Sequence, residues 1–270
     1  MENIEKKQSK FSKLLHYFTT YEWIWLLSLS FFSVLFLFLF PEEETNGISG
    51  IIIMILYVID VVVTLISELL ASKQNKWWAA LYLIVDATEI AVFLILWTRF
   101  AYLASVILFW VPMHIISFIN WGKHTDKNKN TYTVVRKLNW KGLLTISIVC
   151  LVWTLVVGYL VAAYGPETDF YSSVLIEQII AYLDACVTAL GVANGVLLFF
   201  RYKENWLVWL LAVVLETAIV IMSQQWIYLV LQVGYLFNTV YGYIKWTRYI
   251  DNNNIKSKKI QQTPQIEENK

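Results

Sequence analysis

Eight ionisable side chains lie within long apolar stretches of this sequence. An ionisable group in apolar surroundings is costly to bury and is therefore a functional candidate by default. Asp86 and Glu89, three residues apart, share one face of a helix. Glu68 and Glu177 lie near the ends of their stretches, where a bond to a neighbouring helix or a place near an interface is the simpler explanation. The full set is Asp60, Glu68, Asp86, Glu89, His114, Glu177, Asp184 and Glu216.

Two tryptophans, Trp206 and Trp209, open the apolar stretch that follows the charged turn RYKEN. Their spacing places both on one face of a helix. Tryptophan at the end of an apolar helix often anchors that helix at a membrane surface. Alternatively, the two indole rings form a wall that stacks on a flat ligand ring and attracts a cation through its π face.

Amide side chains form a second group of candidates. In LQVGYLFNTVYGYIKW, Gln232, Tyr235 and Asn238 recur at spacings of three and roughly share a helix face. Amides donate and accept hydrogen bonds at once, which suits sugar hydroxyls or a carboxamide, although a bond between helices is the alternative. Asn194 lies between the two glycines of GVANG, a pattern that lets helices approach closely, and it can face either a helix or a ligand.

Other classes of site are disfavoured. His114 is the lone histidine within an apolar stretch, so the clustered groups of an intramembrane enzyme are missing from the sequence pattern. Cys150 and Cys186 both lie in apolar stretches and show neither a disulfide framework nor a metal-ligand spacing. A net charge near zero gives no nucleic-acid footprint. We therefore expect no enzyme, no cofactor, no metal and no nucleic-acid partner.

The composition places these residues in a lipid bilayer. Of the 270 residues, 58% are hydrophobic and only 15% are charged, and the mean hydropathy is +0.56. A soluble core of this size cannot hide so much apolar surface, so the excess must face lipid. We predict an all-α integral membrane protein with eight spans, the first retained rather than removed as a signal peptide. These spans are 22–40, 50–71, 77–97, 101–121, 142–163, 174–200, 206–222 and 226–246.

The basic residues predict the orientation of the spans. Nearly all of the 21 lysines and arginines fall in the segments that eight spans would leave on one side. Because cytoplasmic loops are rich in Lys and Arg, both termini are predicted to be cytoplasmic, in a multi-pass protein of the cell membrane. Residues 1–21 form the N-terminal arm, and residues 251–270 form a tail expected to be disordered.

The sequence also contains an internal repeat. YVIDVVVTL and AYLDACVTAL both place an aspartate four residues before a threonine, as Asp60 and Asp184. Trp121 and Trp246 end the two halves, each three residues after an aromatic. We predict two parallel three-helix repeats, 50–121 and 174–246, joined by the linker span 142–163, with 22–40 as an extra N-terminal span. Such duplications favour a ligand site at the repeat interface near the middle of the membrane.

ENWLVW resembles the Trp-x-x-Trp motif of the PnuC family of nicotinamide riboside transporters. The resemblance extends over roughly residues 50–250 and implies a SWEET-like fold with a 3+1+3 arrangement of spans. It further implies facilitated uptake of nicotinamide riboside for NAD biosynthesis, made directional by cytoplasmic phosphorylation, and a homotrimer. The cationic pyridinium suits the two indole rings, and the ribose and carboxamide suit the amides. The predicted substrate contacts are Trp206, Trp209, Gln232, Asn238, Asn194, Tyr235 and Asp184, with further candidates at Asp60, Glu89 and His114.

One departure from the family pattern keeps alternatives open. His114 stands near the place in span four where the family carries Asn, and the Gln…Asn…Tyr-Gly pattern lies in span eight instead. Thiamine is also a cation, so a thiamine or other nucleoside transporter is a second hypothesis. The others are a proton-coupled carrier that uses the intramembrane carboxylates, and a receptor or scaffold that binds without transport.

Overall fold

The fold is a bundle of helices, seen in a computed structural model that describes residues 17–39, 41–96, 103, 106–126, 129–164, 173–222 and 226–262. Apart from one short hairpin and two isolated β-bridges, the described secondary structure is helical. The helices are α1 (Thr20–Leu39), α2 (Gly50–Ser72), α3 (Trp77–Leu96), α4 (Val111–Lys123), α5 (Trp140–Tyr164), α6 (Val174–Phe199), α7 (Asn205–Met222) and α8 (Trp226–Gln262). The hairpin strands are β1 (Thr125–Asp126) and β2 (Lys129–Thr133).

Several helices have the length and composition of membrane spans. Among the described residues, five segments qualify: α1, α2, the segment Val106–Lys123, α5 and α6. Val106–Lys123 begins with a π-helical turn, Val106–Trp110, which gives way to α4 just before Pro112. Pro112 has no N–H to donate to the preceding helical turn, and the change of helical geometry falls beside it.

The C-terminal segment differs from expectation. Residues 251–262, predicted to be disordered, continue α8, because this segment contains no proline or glycine before Pro264. Residues 263–270, and most of the N-terminal arm, lie outside the described residues. The β1–β2 hairpin was not anticipated by any strand-like pattern, and it folds the connection between α4 and α5 back on itself.

The helices pack as two groups of three. In the first triplet, α3 packs against both α2 and α4, and in the second triplet, α7 packs against both α6 and α8. Across the bundle, α2 contacts α8 and α4 contacts α6, so the first helix of each triplet meets the last helix of the other. Helix α5 packs on α6, and α1 packs on α2 and α8.

The first helix is held by a buried carboxylate. Glu22 has no exposed surface and accepts bonds from Lys73 Nζ at 2.9 Å, Lys245 Nζ at 3.0 Å and Tyr241 Oη at 2.8 Å. Burial lowers the pKa of the Lys73 ammonium, whereas its bond to Glu22 acts in the opposite direction. A buried charge is tolerated only with such partners, so α1 is fixed to both triplets through one residue.

The turns after α2 and α6 have the same hydrogen bonds. Asn75 N–H donates to Leu70 O at 2.9 Å, and Tyr202 N–H donates to Leu197 O at 2.9 Å. In each turn the residue before the donor has a left-handed φ, of 59° and 62°. These are Schellman motifs, which satisfy carbonyls that a helix end leaves without partners. The two triplets therefore share a local structure at the same place.

Two tryptophans tie these helix ends together. Trp121 Nε1, at the end of α4, donates to Leu198 O at 3.0 Å, and Trp246 Nε1, in α8, donates to Ala71 O at 3.2 Å. Each donor belongs to one triplet and each acceptor to the other. The C-terminal ends of α2 and α6 therefore lie at the same end of the bundle.

Candidate functional site

A cavity of about 210 Å³ lies between the two triplets. Both triplets contribute to its walls, but with different kinds of side chain. The first triplet supplies Asp60, Thr64, Glu68, Trp78, Tyr82, Val85, Asp86, Glu89, Trp110, Met113 and His114, counting the π-helical turn with it. The second supplies Asn194, Gly195, Leu198, Trp209 and Tyr235.

Glu68 is the most constrained carboxylate of this cavity. It is 9% exposed and accepts a bond from Tyr82 Oη at 2.7 Å and another from Asn238 Nδ2 at 3.0 Å. Tyr82 lies on α3 and Asn238 on α8, so Glu68 joins three helices across the triplets. Two donors fix the carboxylate in one orientation, as in a pre-organised ligand site.

Asp86 and His114 form a second buried polar pair. His114 Nδ1 lies 2.7 Å from Asp86 Oδ2, and both side chains are almost completely buried. The imidazole is stacked between Tyr82, at 4.9 Å between ring centroids, and Trp110, at 5.8 Å. The ring stacking and the bond to the carboxylate fix the position of His114.

The cavity is rich in carboxyl groups. Four carboxylates line it, and no lysine or arginine is among the lining residues that the structure describes. Asp60 is partly compensated by the Thr88 hydroxyl, which donates at 3.0 Å. A ligand with a positive charge gains from such surroundings, whereas an anionic group would lack a cationic partner there.

The second triplet offers neutral recognition groups. The Trp209 and Tyr235 rings contact each other edge to face at 5.9 Å. Asn194 Oδ1 and Trp209 Nε1 are buried and have no hydrogen-bond partner among the described residues. Buried polar atoms are nearly always paired, so these two atoms are available to a ligand or to water. A Cβ at Gly195 would lie 3.0 Å from Trp110, so the glycine allows α4 and α6 to approach beside the cavity.

The structure separates the two indole rings that the sequence placed on one face. Trp209 lines the cavity, but Trp206 does not and is only 2% exposed. The Trp206 ring packs edge to face on Trp246 at 5.6 Å and fills the space left by Gly242, where a Cβ would lie 2.6 Å from the ring. Trp206 therefore joins α7 to α8 in the core, because a glycine in another helix provides room for it.

Asp184 also lies away from the cavity, exposed on the outside of α6. The register of the repeat explains this placement. Counting back equally from Leu70 and Leu197 in the two matching turns, Asp60 corresponds to Val187 rather than to Asp184. The Asp-x-x-x-Thr match in the sequence is thus not the structural alignment, and only Asp60 reaches the cavity.

The other predicted site residues form two groups, those that line the cavity and those that do not. Asp60, Glu89, His114, Asn194 and Tyr235 line the cavity together with Trp209. Gln232 and Asn238 are buried but are not lining residues, and Asn238 acts through Glu68.

Sequence reasoning missed the aromatic residues of the first triplet. Trp78, Tyr82 and Trp110 all line the cavity, and Glu68, judged more simply explained by a structural bond, does so too. One signal was available on α3. Trp78, Tyr82 and Asp86 recur every four residues, so they share the helix face that carries the carboxylates.

Apolar helices around a polar internal cavity are typical of a multi-pass membrane protein. A family model described as nicotinamide mononucleotide transporter matches residues 54–248, and the chain belongs to this family. The PnuC resemblance of ENWLVW is thereby confirmed. The family is one of transporters rather than enzymes.

Two curated relatives support the assignment. The chain is 28% identical over 152 residues to the nicotinamide riboside transporter PnuC of Haemophilus influenzae, which is 56% of this chain and 61% of the relative. It is also 28% identical over 154 residues to the nicotinamide riboside transporter PnuC of Neisseria mucosa, which is 53% of this chain and 54% of the relative. The matched region therefore spans less than two thirds of each relative.

A solved structure shows the same fold. The crystal structure of the vitamin B3 transporter PnuC superposes with a TM-score of 0.64, covering 87% of this chain and 94% of that one at 19% identity. The agreement extends beyond the region matched by sequence. The all-helical fold predicted from the apolar stretches is thereby supported.

Proposed function

We propose that this protein mediates facilitated uptake of nicotinamide riboside across the cell membrane. The observation that carries the proposal is the cavity between the triplets, with four carboxylates on one side and Trp209 and Tyr235 on the other. Nicotinamide riboside carries a permanent positive charge on a flat aromatic ring. Aromatic faces and carboxylates both stabilise such a cation.

The polar parts of the ligand also have partners. The carboxamide and ribose hydroxyls need donors and acceptors, and the Asn194 Oδ1 atom and the Trp209 indole N–H have no hydrogen-bond partner among the described residues. We assign substrate contact to Trp209, Tyr235, Asn194, Asp60, Glu89 and His114, which line the cavity, and add Glu68 as counter-charge. Asn238 positions Glu68, and Trp206, Gln232 and Asp184 support the fold around the site.

The riboside fits better than the mononucleotide named in the family description. The mononucleotide adds a phosphate that is negatively charged at neutral pH. Among the described lining residues, no lysine or arginine could pair with it, and four carboxylates would repel it. The names of both curated relatives point to the riboside as well.

The transport architecture that we propose has eight spans in a 3+1+3 arrangement plus α1. The matching turns after α2 and α6 and the reciprocal tryptophan bonds support two triplets that run in the same direction. The end with these turns carries Lys73, Lys76, Arg201 and Lys203, so the proposed cytoplasmic side is this one, with both termini. A homotrimer is part of the same proposal.

Direction is supplied by chemistry downstream of transport. Phosphorylation in the cytoplasm converts the cationic riboside into a product with a negative phosphate. Returning that product through the acidic cavity is unfavourable, so mass action draws substrate inward without a coupled ion.

One observation favours a second candidate, a proton-coupled carrier. The Asp86–His114 pair is buried in the cavity, and its imidazole can take up a proton. In that case a substrate cation and a proton would share the same acidic site. Thiamine, another cation with a flat ring, is the alternative substrate.

Uptake into liposomes that contain the purified protein tests the proposal. We expect uptake of labelled nicotinamide riboside down its own gradient, with equal rates in the presence and absence of a proton or sodium gradient. Empty liposomes and competition by unlabelled nicotinamide mononucleotide and thiamine serve as controls. An obligatory proton gradient would assign transport to the proton-coupled mechanism, and binding without uptake would make the protein a receptor.

A further inference from the structure

Four buried tryptophans form a continuous layer next to the cavity. We call Trp78, Trp121, Trp246 and Trp206 the tryptophan layer, and each is at most 2% exposed. Their rings contact in sequence, with centroids 5.3 Å apart for Trp78 and Trp121, 5.8 Å for Trp121 and Trp246, and 5.6 Å for Trp246 and Trp206. Two rings come from each triplet, so the layer crosses the interface between them.

The two central indoles bond across that interface. Trp121 donates to Leu198 O in the second triplet, and Trp246 donates to Ala71 O in the first. Both acceptors are carbonyls at helix C-terminal ends, and each also accepts a backbone N–H of its own turn, Leu198 O from Arg201 and Ala71 O from Gln74. The triplets cannot separate at this end without breaking both indole bonds.

A backbone segment closes the same end from outside. We call residues 133–136 the strap. Thr133 N–H donates to Gln74 O at 2.8 Å, and Arg136 N–H donates to Arg201 O at 2.8 Å, so the strap is attached to both matching turns. Between these attachments Val135, 5% exposed, packs in the hydrophobic cluster that contains the tryptophan layer.

The layer borders the cavity directly. Trp78 belongs to the layer and lines the cavity, and Leu198 lines the cavity while its carbonyl accepts the bond from Trp121. The layer therefore lies between the cavity and the strap, at the end of the bundle where the basic residues gather.

We propose that the tryptophan layer and the strap are the cytoplasmic gate of the transporter, closed in this structure. The proposal rests on the function proposed above. Substrate leaves toward the cytoplasm when the triplets part at this end, the two indole N–H bonds break and the strap releases one of its two turns. The indole bonds are two of several between the triplets, since Asn120 Nδ2 also donates to Phe199 O at 2.7 Å, so removal of one indole bond weakens the closed state without separating the triplets.

Cysteine labelling tests the gate without any substrate. Met113→Cys, in a background with Cys150→Ala and Cys186→Ala, places a single thiol in the cavity. A membrane-impermeant cationic thiol reagent is added to inside-out and to right-side-out membrane vesicles. Adding Trp246→Phe or Trp121→Phe removes one indole N–H and keeps an aromatic ring. We expect cytoplasmic labelling to rise about five-fold for each, the factor for loss of one hydrogen bond, and more for the double variant.

Trp153→Phe is the matched control, because Trp153 lies on α5 outside the layer and is 47% exposed. It should leave both labelling rates unchanged. General loosening of the fold would raise labelling from both sides equally, and that result overturns the gate. A cytoplasmic rate within two-fold of the control in both single variants and the double variant also overturns it. Since labelling needs no transported ligand, a failed uptake assay and a failed gate are separate outcomes.

Discussion

The two triplets share the contacts that hold them together, which we call the frame, but they differ in the side chains that they present to the cavity. Both end their first helix in the same turn, and both send a tryptophan to the opposite triplet. In both, a lysine of the turn lies over an aromatic ring, Lys76 over Phe118 at 4.9 Å and Lys203 over Tyr243 at 4.8 Å. These shared contacts lie at the basic end, where the triplets hold each other.

The cavity shows the difference. The first triplet contributes all four lining carboxylates and the one histidine, and the second contributes an amide and two aromatic rings. The contacts of the frame require matching residues in both triplets, whereas the side chains that line the cavity need not match between the triplets. Under the proposed function, one wall would hold the positive charge of the ligand and the other its flat ring and polar substituents.

The largest expected effect is on stability, at Trp206 of the motif ENWLVW, and it tests whether this ring stabilises the fold or contacts the ligand. Trp206→Ala removes a buried ring from the α7–α8 contact and should lower the free energy of unfolding by about 3–5 kcal/mol. Denaturation in detergent, followed by circular dichroism, measures it. Leu207→Ala, a neighbouring residue that is 40% exposed, is the control with little effect. If Trp206→Ala leaves stability unchanged but weakens ligand binding, the ring belongs to the site.

The next effect tests the acidic wall. Glu68→Gln keeps the shape of the side chain but removes the charge. Its amide oxygen can accept the bond from Asn238, and its NH2 group can donate to the Tyr82 hydroxyl, which then acts as the acceptor. A charged interaction contributes ~1.5–3 kcal/mol, so affinity for nicotinamide riboside should fall about 10- to 100-fold. Calorimetric titration measures it, with Glu177→Gln as a control outside the cavity. Equal affinity in both variants would remove Glu68 from the site.

A smaller effect tests the aromatic wall. Trp209→Ala should weaken nicotinamide riboside binding about 5- to 30-fold, from a cation–π contribution of ~1–2 kcal/mol. Trp209→Phe should recover part of the loss, because a ring remains. Tryptophan fluorescence quenching or calorimetry reports the affinity. A larger change in stability than in binding would show that Trp209, like Trp206, belongs to the frame.

The smallest effect is expected at Asp184. Asp184→Asn should change affinity less than about two-fold, because the residue is exposed outside the cavity. Asp60→Asn, the other half of the sequence match, is the informative companion and should weaken binding clearly. If Asp184→Asn weakened binding as much as Asp60→Asn does, Asp184 would be the structural equivalent of Asp60, as the sequence match indicated.

The sequence predicted the frame better than the site. Long apolar stretches placed the helices, and Trp121 and Trp246 were recognised as markers of the repeat. The carbonyls that accept their hydrogen bonds were not predicted, because residue spacing along one helix does not indicate a bond to another helix. Likewise, spacing put Trp206 and Trp209 on one face, but Gly242, distant in the sequence, decides which ring is drawn into the core.

The acidic cavity had a partial sequence signal. Asp60, Asp86 and Glu89 were recognised as candidates because each is a carboxylate inside an apolar stretch, where burying an ionisable group is costly unless it serves a function. Glu68 was harder to assign because it lies near a helix end, and its partners come from two other helices. Sequence position along one helix cannot reveal contacts that depend on how several helices pack.

The most direct test of the central claim compares two ligands that differ by one hydride, which removes both the positive charge and the aromaticity of the ring. Nicotinamide riboside is a cation, and its reduced dihydro form is neutral with the same ribose and carboxamide. Calorimetric titration of the purified protein should show at least about 10-fold tighter binding of the cation, because carboxylates and aromatic faces both favour it. Equal affinity for the two forms would contradict a site built on the charge of the vitamin.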